Sequence, residues 1–131
     1  NAIAPGKRPL SSMSPTFAES DRGVIILGTP GGSRIITMVM LGLMSWIDGA
    51  DAQAVVSLPR YHHQYLPDRV YFEPAAFDEV TRRGLEALGH ELQESGRLYG
   101  NMNVVTWDFD GDEVRAASDP RAKGGAAVRV Y

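Results

Sequence analysis

The chain has 131 residues, 44% of them hydrophobic and 22% charged, and its 13 basic and 16 acidic side chains leave a formal net charge of −3. It contains no cysteine, which excludes zinc–cysteine sites, iron–sulfur clusters, thiol nucleophiles and disulfides. The slightly acidic balance lacks the basic surplus of a nucleic-acid-binding protein. A chain of this length can form one domain with its own core. The remaining classes are a small-molecule enzyme, a binding module or a part of something larger.

The first nine residues contain no methionine and no apolar stretch as long as that of a signal peptide. The longest apolar run, Ile35–Ile47, has thirteen residues, against roughly 20 for a helix that crosses a bilayer. It is therefore predicted to be a buried core helix. The start without methionine, in a loop with proline and glycine, leads us to expect a processed or truncated polypeptide.

The first half of the chain predicts a β-hairpin followed by two helices. Residues 10–19 and the apolar run 24–27 are joined by a glycine-containing link and are expected to pair, with the first strand near an edge. A tight loop follows, and the apolar residues after Ser33 then recur with helical spacing up to a stop at Gly49. Ser33 is the expected N-cap of this helix. A second short helix is predicted over residues 51–58, capped by Asp51 and ended before Pro59.

The second half predicts an isolated strand over residues 69–72 and an amphipathic helix over residues 77–88, after a stretch without a predicted element. Val80, Leu85 and Leu88 are expected to face inward, and Gly89 is expected to end the helix. Strands are predicted over residues 90–93, 103–109 and 113–117, the last two joined as a hairpin across Gly111-Asp112. This order of elements indicates an α+β fold and argues against a doubly wound nucleotide-binding fold.

The strongest local candidate for a binding site is the loop Pro30-Gly31-Gly32-Ser33-Arg34, between a buried strand and an apolar helix. Two consecutive glycines leave backbone N–H groups accessible, and the N-terminus of the following helix adds a positive dipole end. Such a loop can hold an oxyanion or a carboxylate. It does not have the spacing of a nucleotide-binding glycine motif. A plain strand-to-helix turn is the alternative interpretation.

A second candidate is the hydroxyl-rich segment of residues 9–16. Ser11 and Ser12 could both donate to one anionic group if the strand bulges there, since successive strand side chains otherwise face opposite sides. The alternative is an edge strand with solvated hydroxyl groups.

Two other patterns suggest metals but are better explained without them. His62 and His63 have only His90 as a further histidine, so a structural role with hydrogen bonds to the backbone is favoured over a zinc site. Residues 108–112 resemble the start of a calcium loop, but the later ligand positions do not fit, and a hairpin turn is predicted. We predict no metal and no cofactor.

Four segments of the chain resemble the C-terminal part of the small subunit of γ-glutamyltransferases (γ-glutamyltranspeptidases), a family of N-terminal-nucleophile hydrolases. They occur in the order of the family and span nearly the whole chain. In this sequence they are residues 7–16 (KRPLSSMSPT), 28–36 (GTPGGSRII), 59–68 (PRYHHQYLPD) and 117–121 (ASDPR).

The resemblance implies that residues 1–131 form a single domain, a portion of the four-layer αββα sandwich of these hydrolases. It implies a self-cleaving precursor whose threonine attacks the γ-glutamyl amide of glutathione and related donors and passes the acyl group to water or to amino acids and peptides. Ser11 and Ser12 would hold the α-carboxylate of the donor, and the N–H groups of Gly31 and Gly32 would form the oxyanion hole.

The resemblance also implies what lies outside this chain. The nucleophilic threonine is expected upstream, so the chain is predicted to be inactive alone. The implied partners are the large subunit of the same precursor, the remaining part of the small subunit, and glutathione or other γ-glutamyl compounds. Neither nucleic acid nor a membrane span is expected. Export to the periplasm or cell exterior follows only by resemblance.

Three alternatives to a glutathione-cleaving enzyme stay open from the residues. Two lie within the same fold: an acylase that removes glutaryl side chains from β-lactam precursors, and a relative that processes poly-γ-glutamate. The third is a non-catalytic interaction domain in which the Gly31-Gly32 loop is only a turn.

Overall fold

A computed structural model describes residues 2–8, 13, 15–122 and 124–129. Three helices and seven strands are formed by this part of the chain, which confirms the predicted α+β class. In chain order they are β1 (Thr16–Ser20), β2 (Gly23–Gly28), α1 (Ile35–Ile47), α2 (Ala52–Ser57), β3 (Tyr61–Gln64), β4 (Arg69–Phe72), α3 (Glu79–Ala87), β5 (Leu92–Glu94), β6 (Asn103–Asp108) and β7 (Glu113–Ser118), with a 3₁₀ helix at Gly32–Arg34 before α1.

The larger sheet is antiparallel throughout, with the strand order β1-β2-β6-β7. Both predicted hairpins are present in it, across Asp21-Arg22 and across residues 109–112. Helices α1 and α2 cover one face, to which Ile25 and Leu27 of β2 and Val104 of β6 contribute buried apolar side chains. The core between them consists mainly of Ile25, Leu27, Met38, Val39, Trp46, Val55, Val56, Met102, Val104 and Ala117.

The opposite face of this sheet is apolar and open. Phe17, Ile26 and Val105 form one row across the strands, and Val24, Trp107 and Val114 form the next. Phe17 is 70% exposed and Trp107 is 45% exposed. A contiguous apolar surface of this kind is typical of a face that packs against another layer.

The smaller sheet has the order β3-β4-β5, with β3 antiparallel and β5 parallel to β4. Strand β3 lies in the stretch for which the sequence predicts no element, because its polar residues do not alternate with apolar ones. The prediction that Val80, Leu85 and Leu88 of α3 face the core is wrong. Val80 and Leu88 are each 79% exposed, and Leu85 is only partly buried. Helical spacing shows that these residues share a face, but no described element covers that face.

The helix ends follow the predicted caps with one exception. Gly49, with φ at +103°, ends α1 as predicted, and the Asp51 carboxylate accepts a 2.8 Å hydrogen bond from Ala54 N–H. Ser33 is not the N-cap of α1. The 3₁₀ helix places Arg34 in that position without a side-chain cap, and the Ser33 hydroxyl bonds elsewhere.

None of the helices in the described residues is long and apolar enough to span a membrane. The run 35–47 instead forms α1, as predicted, and packs in the core.

Replacing the cap of α2 tests how much local signals contribute to stability. Asp51→Ala is expected to lower the free energy of unfolding by about 1 kcal/mol, because the Ala54 N–H loses its acceptor. Asp51→Asn retains an acceptor oxygen, so it is expected to change the free energy of unfolding by only a few tenths of the loss in Asp51→Ala. Urea unfolding of both variants makes the comparison; equal losses would show that the cap bond does not account for the effect.

Candidate active site

The Gly31-Gly32 loop connects β2 of the larger sheet to α1. Both glycines are exposed. Gly32 has φ at +59°, a left-handed conformation that glycine adopts without the steric cost of a Cβ. At Gly31 a Cβ atom would overlap the terminal methyl group of Met38, which lies beneath the loop and is only 1% exposed. The backbone conformation therefore favours glycine at Gly32, whereas at Gly31 a side chain would require either Met38 or the loop to shift.

The backbone N–H groups of these two glycines are available to a ligand. Within the described part of the chain, neither N–H donates a hydrogen bond to a backbone or side-chain acceptor. Gly31 directly precedes, and Gly32 begins, a helical segment that runs from the 3₁₀ helix into α1, so the positive end of the helix dipole lies at the same place. This arrangement is compatible with the anion-binding loop that the sequence predicts.

The beginning of the loop is anchored to the segment before β6. Thr29 is 4% exposed, and its hydroxyl accepts from Asn101 N–H at 3.2 Å while donating to the Pro30 carbonyl at 3.0 Å. The Gly31 carbonyl accepts from Arg34 N–H at 3.2 Å. These bonds fix the entry into the loop and its first turn.

A side-chain network joins the end of the loop to β3. The Ser33 hydroxyl donates to Gln64 Oε1 at 3.0 Å, and His62 Nε2 lies 3.1 Å from the same oxygen. His62 Nδ1 lies 2.8 Å from the Thr37 hydroxyl. The predicted structural role of His62 fits this geometry, although its partners are side chains and not the predicted backbone groups.

Arg34, the last residue of the 3₁₀ helix, packs its guanidinium over two tyrosine rings. The distances to the ring centres are 4.4 Å for Tyr99 and 5.6 Å for Tyr71, within the range of cation–π attraction. Burial raises the pKa of the Tyr99 phenol, and the neighbouring Arg34 guanidinium opposes that rise without cancelling it.

A buried ion-pair network of four side chains joins distant parts of the chain, and no local pattern in the sequence indicates it. Arg60 pairs with Asp119 at 2.5 Å, and Arg121 pairs with Glu73 at 2.6 Å and with Asp119 at 3.2 Å. The side chains of all four are at most 8% exposed. Arg60, Asp119 and Arg121 lie in segments that carry the family resemblance, and this was the only signal in the sequence that could have pointed to them. No feature of the sequence points to Glu73.

Asp119 is the most heavily bonded member of this network. Burial disfavours its charged form, but hydrogen bonds from the backbone N–H groups of Met102 and Arg121 and from the Arg60 guanidinium outweigh burial and hold its pKa below the ordinary value. Its carboxylate is therefore charged at neutral pH. The network is neutral in sum, with two arginines facing two carboxylates, and it can hold the connections around it in place.

The remaining predicted candidates have different outcomes. Residues 108–112 form a hairpin turn, as predicted, in which Asp108 accepts from Gly111 N–H at 3.0 Å. His63 is exposed and bonds Asp68 at 2.7 Å. Across residues 2–8, 13, 15–122 and 124–129, no three metal-binding side chains come together. Ser11 and Ser12 lie outside the described residues.

A sequence profile described as gamma-glutamyltranspeptidase matches residues 1–129. The chain belongs to the γ-glutamyltranspeptidase family. It is 46% identical to the glutathione hydrolase proenzyme of Pseudomonas sp. strain A14 and 40% identical to that of Escherichia coli K12, over 98% and 93% of this chain. It covers 24% and 21% of those two proteins, so it spans about a quarter of the length of each or less.

The structure of this γ-glutamyltranspeptidase segment agrees with the family fold. It superposes on the Helicobacter pylori γ-glutamyltranspeptidase T380A mutant with a TM-score of 0.80 at 35% identity, covering 93% of this chain and 67% of that one. The prediction of a portion of an N-terminal-nucleophile hydrolase fold is thereby confirmed.

Proposed function

We propose that this chain forms part of a γ-glutamyltransferase that cleaves the γ-glutamyl amide of glutathione and related donors, and that its Gly31-Gly32 loop is the oxyanion hole. One observation carries the proposal: two consecutive, exposed backbone N–H groups without an acceptor among the described residues, at the start of a helical segment. The relatives at 46% and 40% identity are named glutathione hydrolase proenzymes, which supports this donor class.

The loop would act at the step that builds negative charge. Attack of a nucleophile on the γ-carbonyl converts its oxygen into an oxyanion, and the Gly31 and Gly32 N–H groups would donate to that oxygen. Because the donors are fixed before the reaction, they cost no reorganisation when the charge develops. The oxyanion collapses to an acyl-enzyme with loss of the amine, and water or an acceptor amine then repeats the addition.

The nucleophile in this proposal is a threonine elsewhere in the same precursor, whose own α-amine serves as the base. Ser11 and Ser12 would bind the α-carboxylate of the donor. That assignment rests on the family resemblance of residues 7–16, and it predicts a preference for donors that carry an α-carboxylate.

The proposed partners are the large subunit of the precursor and the rest of the small subunit. The open apolar face of the larger sheet supports this, since Phe17, Val105 and Trp107 are all more than a third exposed there. Packing a second layer onto that face would remove apolar surface from water, which is the main favourable term in such associations.

The function is tested with the intact proenzyme that contains this chain. After maturation it is expected to release p-nitroaniline from γ-glutamyl-p-nitroanilide and to cleave glutathione. It is expected to act at least about tenfold more slowly on glutaryl-p-nitroanilide, which keeps this carboxylate but lacks the α-amine, because removing a charged recognition group from a donor costs on the order of a factor of ten or more.

The controls separate the alternatives. Equal or faster cleavage of the glutaryl amide would point to an acylase and contradict the proposal. No cleavage of either donor by the intact protein would favour a non-catalytic domain. The 131-residue polypeptide alone, which has no N-terminal threonine, is expected to release no p-nitroaniline.

A further inference from the structure

Gln64 is the point at which the side-chain network behind the Gly31-Gly32 loop converges. Its Nε2 group donates to the Leu66 carbonyl at 2.7 Å, which fixes the orientation of the amide. Its Oε1 atom is therefore the one that faces Ser33 and His62, at 3.0 and 3.1 Å. This oxygen can only accept, so both neighbours must donate to it.

The orientation of Gln64 determines the proton position on His62. Since Gln64 Oε1 accepts, His62 Nε2 carries the hydrogen, and in the neutral ring Nδ1 then accepts from the Thr37 hydroxyl at 2.8 Å. His62 is 4% exposed, and both of its ring nitrogens are satisfied in this arrangement. The donors in this network are therefore all assigned: Ser33 and His62 donate to Gln64, and Thr37 donates to His62.

These bonds tie the last part of the loop to a different sheet from the one that leads into it. Ser33 follows Gly32 directly, and Thr37 lies in the first turn of α1. Thr29 holds only the entry of the loop, through Asn101. At the exit, Ser33 is held by the Gln64 side chain on β3, in the smaller sheet.

We propose that Gln64 is a positioning residue for the oxyanion hole: through Ser33 it sets where the N–H groups of Gly31 and Gly32 lie, and His62 and Thr37 keep its acceptor oxygen in place. Gln64 touches neither the donor nor the reacting atoms in this role. The inference rests on the proposed function of the loop and adds a residue thirty-one positions away from Ser33.

The expected kinetic signature follows from when the oxyanion hole acts. Its donors must lie about 2.7–3.1 Å from the oxyanion and not from the ground-state carbonyl. A displaced loop therefore weakens transition-state binding more than substrate binding, which lowers kcat and leaves KM nearly unchanged.

The test uses the intact, matured protein and γ-glutamyl-p-nitroanilide. Gln64→Met removes the acceptor at similar side-chain length and is expected to lower kcat about tenfold or more, with KM within about twofold of the wild-type value. The matched control is Gln93→Met on β5, where an exposed glutamine bonds Arg69; its kcat is expected to equal that of the wild type.

A double-substitution cycle tests the route through Ser33. Ser33→Ala cuts the same hydrogen bond from the other side, so the variant with both changes is expected to lose no more kcat than the more affected single variant. Losses that multiply would overturn the proposed route. So would an unchanged kcat in Gln64→Met, or a fall in kcat that is matched by Gln93→Met.

Amide hydrogen exchange at Arg34, whose N–H donates to the Gly31 carbonyl, gives a readout independent of turnover in the same intact proteins. Exchange is expected to be faster in Gln64→Met than in the wild type and unchanged in Gln93→Met. If the wild type cleaves no γ-glutamyl donor, the proposed function fails while this comparison still tests Gln64. Unchanged exchange in Gln64→Met would overturn the positioning role.

Discussion

In the Gly31→Val variant of the intact protein, kcat toward γ-glutamyl donors is expected to fall about 10²–10³-fold. This is the usual consequence of removing one oxyanion-hole donor. Even a single Cβ at Gly31 overlaps the Met38 methyl group, and Met38 is enclosed in the core. Either Met38 or the loop must shift to relieve this overlap, and a branched side chain at φ +158° adds backbone strain, so we expect the loop and its N–H groups to be displaced. Because the lost hydrogen bonds stabilise the transition state and not the bound substrate, KM is expected to change little.

The matched control for this variant is Gly84→Val. Gly84 lies in α3, where a Cβ would meet nothing within 4 Å, and valine has a better helix propensity than glycine. Its kcat is expected to equal the wild-type value. Steady-state kinetics of the two variants decide the matter: a Gly31→Val enzyme with wild-type kcat would show that the loop does not bind the oxyanion.

The largest expected effect on stability comes from the buried ion-pair network. Asp119→Ala is expected to lower the free energy of unfolding by about 3–5 kcal/mol, because Arg60 is left as a buried charge without its carboxylate partner. Asp119 also accepts from Met102 N–H at 3.0 Å, and that buried donor loses its acceptor as well. Urea unfolding at neutral pH measures the change.

The control for Asp119→Ala is a change in an exposed pair. Arg83 bonds Glu79 one turn away on α3, with both side chains more than half exposed, so Arg83→Ala is expected to cost at most about 0.5 kcal/mol. A loss in Asp119→Ala no larger than that would contradict the role given to the network.

The pH dependence of stability has a definite sign. The pKa of Asp119 is lower in the folded chain than its ordinary value of 3.8, so the unfolded chain takes up this proton first as pH falls. Its contribution is complete above that ordinary value and is lost as pH falls through the folded pKa. The stability of Asp119→Ala should therefore decline less in this acidic window than that of the wild type.

The parts of the fold that could be predicted from the sequence are those specified by neighbouring residues. The Asp51 cap, the Gly49 stop and the turn at 108–112 each depend on contacts within five positions of the chain. The Gly31-Gly32 loop could be proposed as a site for the same reason, since consecutive glycines before an apolar helix are a local signal.

The parts that could not be predicted depend on residues far apart in the chain. Arg60 and Asp119 are 59 positions apart, and Arg121 and Glu73 are 48 apart, so no local pattern pairs them. Ser33 was expected to cap α1, but its hydroxyl bonds Gln64, 31 positions away. The inward face assigned to α3 failed because spacing shows which residues share a face and not whether anything covers it.

Tyr99 supports the ion-pair network and the loop at the same time. Its backbone N–H donates to Glu73 at 3.2 Å and its carbonyl accepts from Arg60, while its ring carries the Arg34 guanidinium at the end of the 3₁₀ helix. The ion-pair network and the proposed oxyanion loop are therefore joined at one residue. Because the bonds to the network come from the Tyr99 backbone, a substitution at this position would keep them and remove only the ring from beneath Arg34.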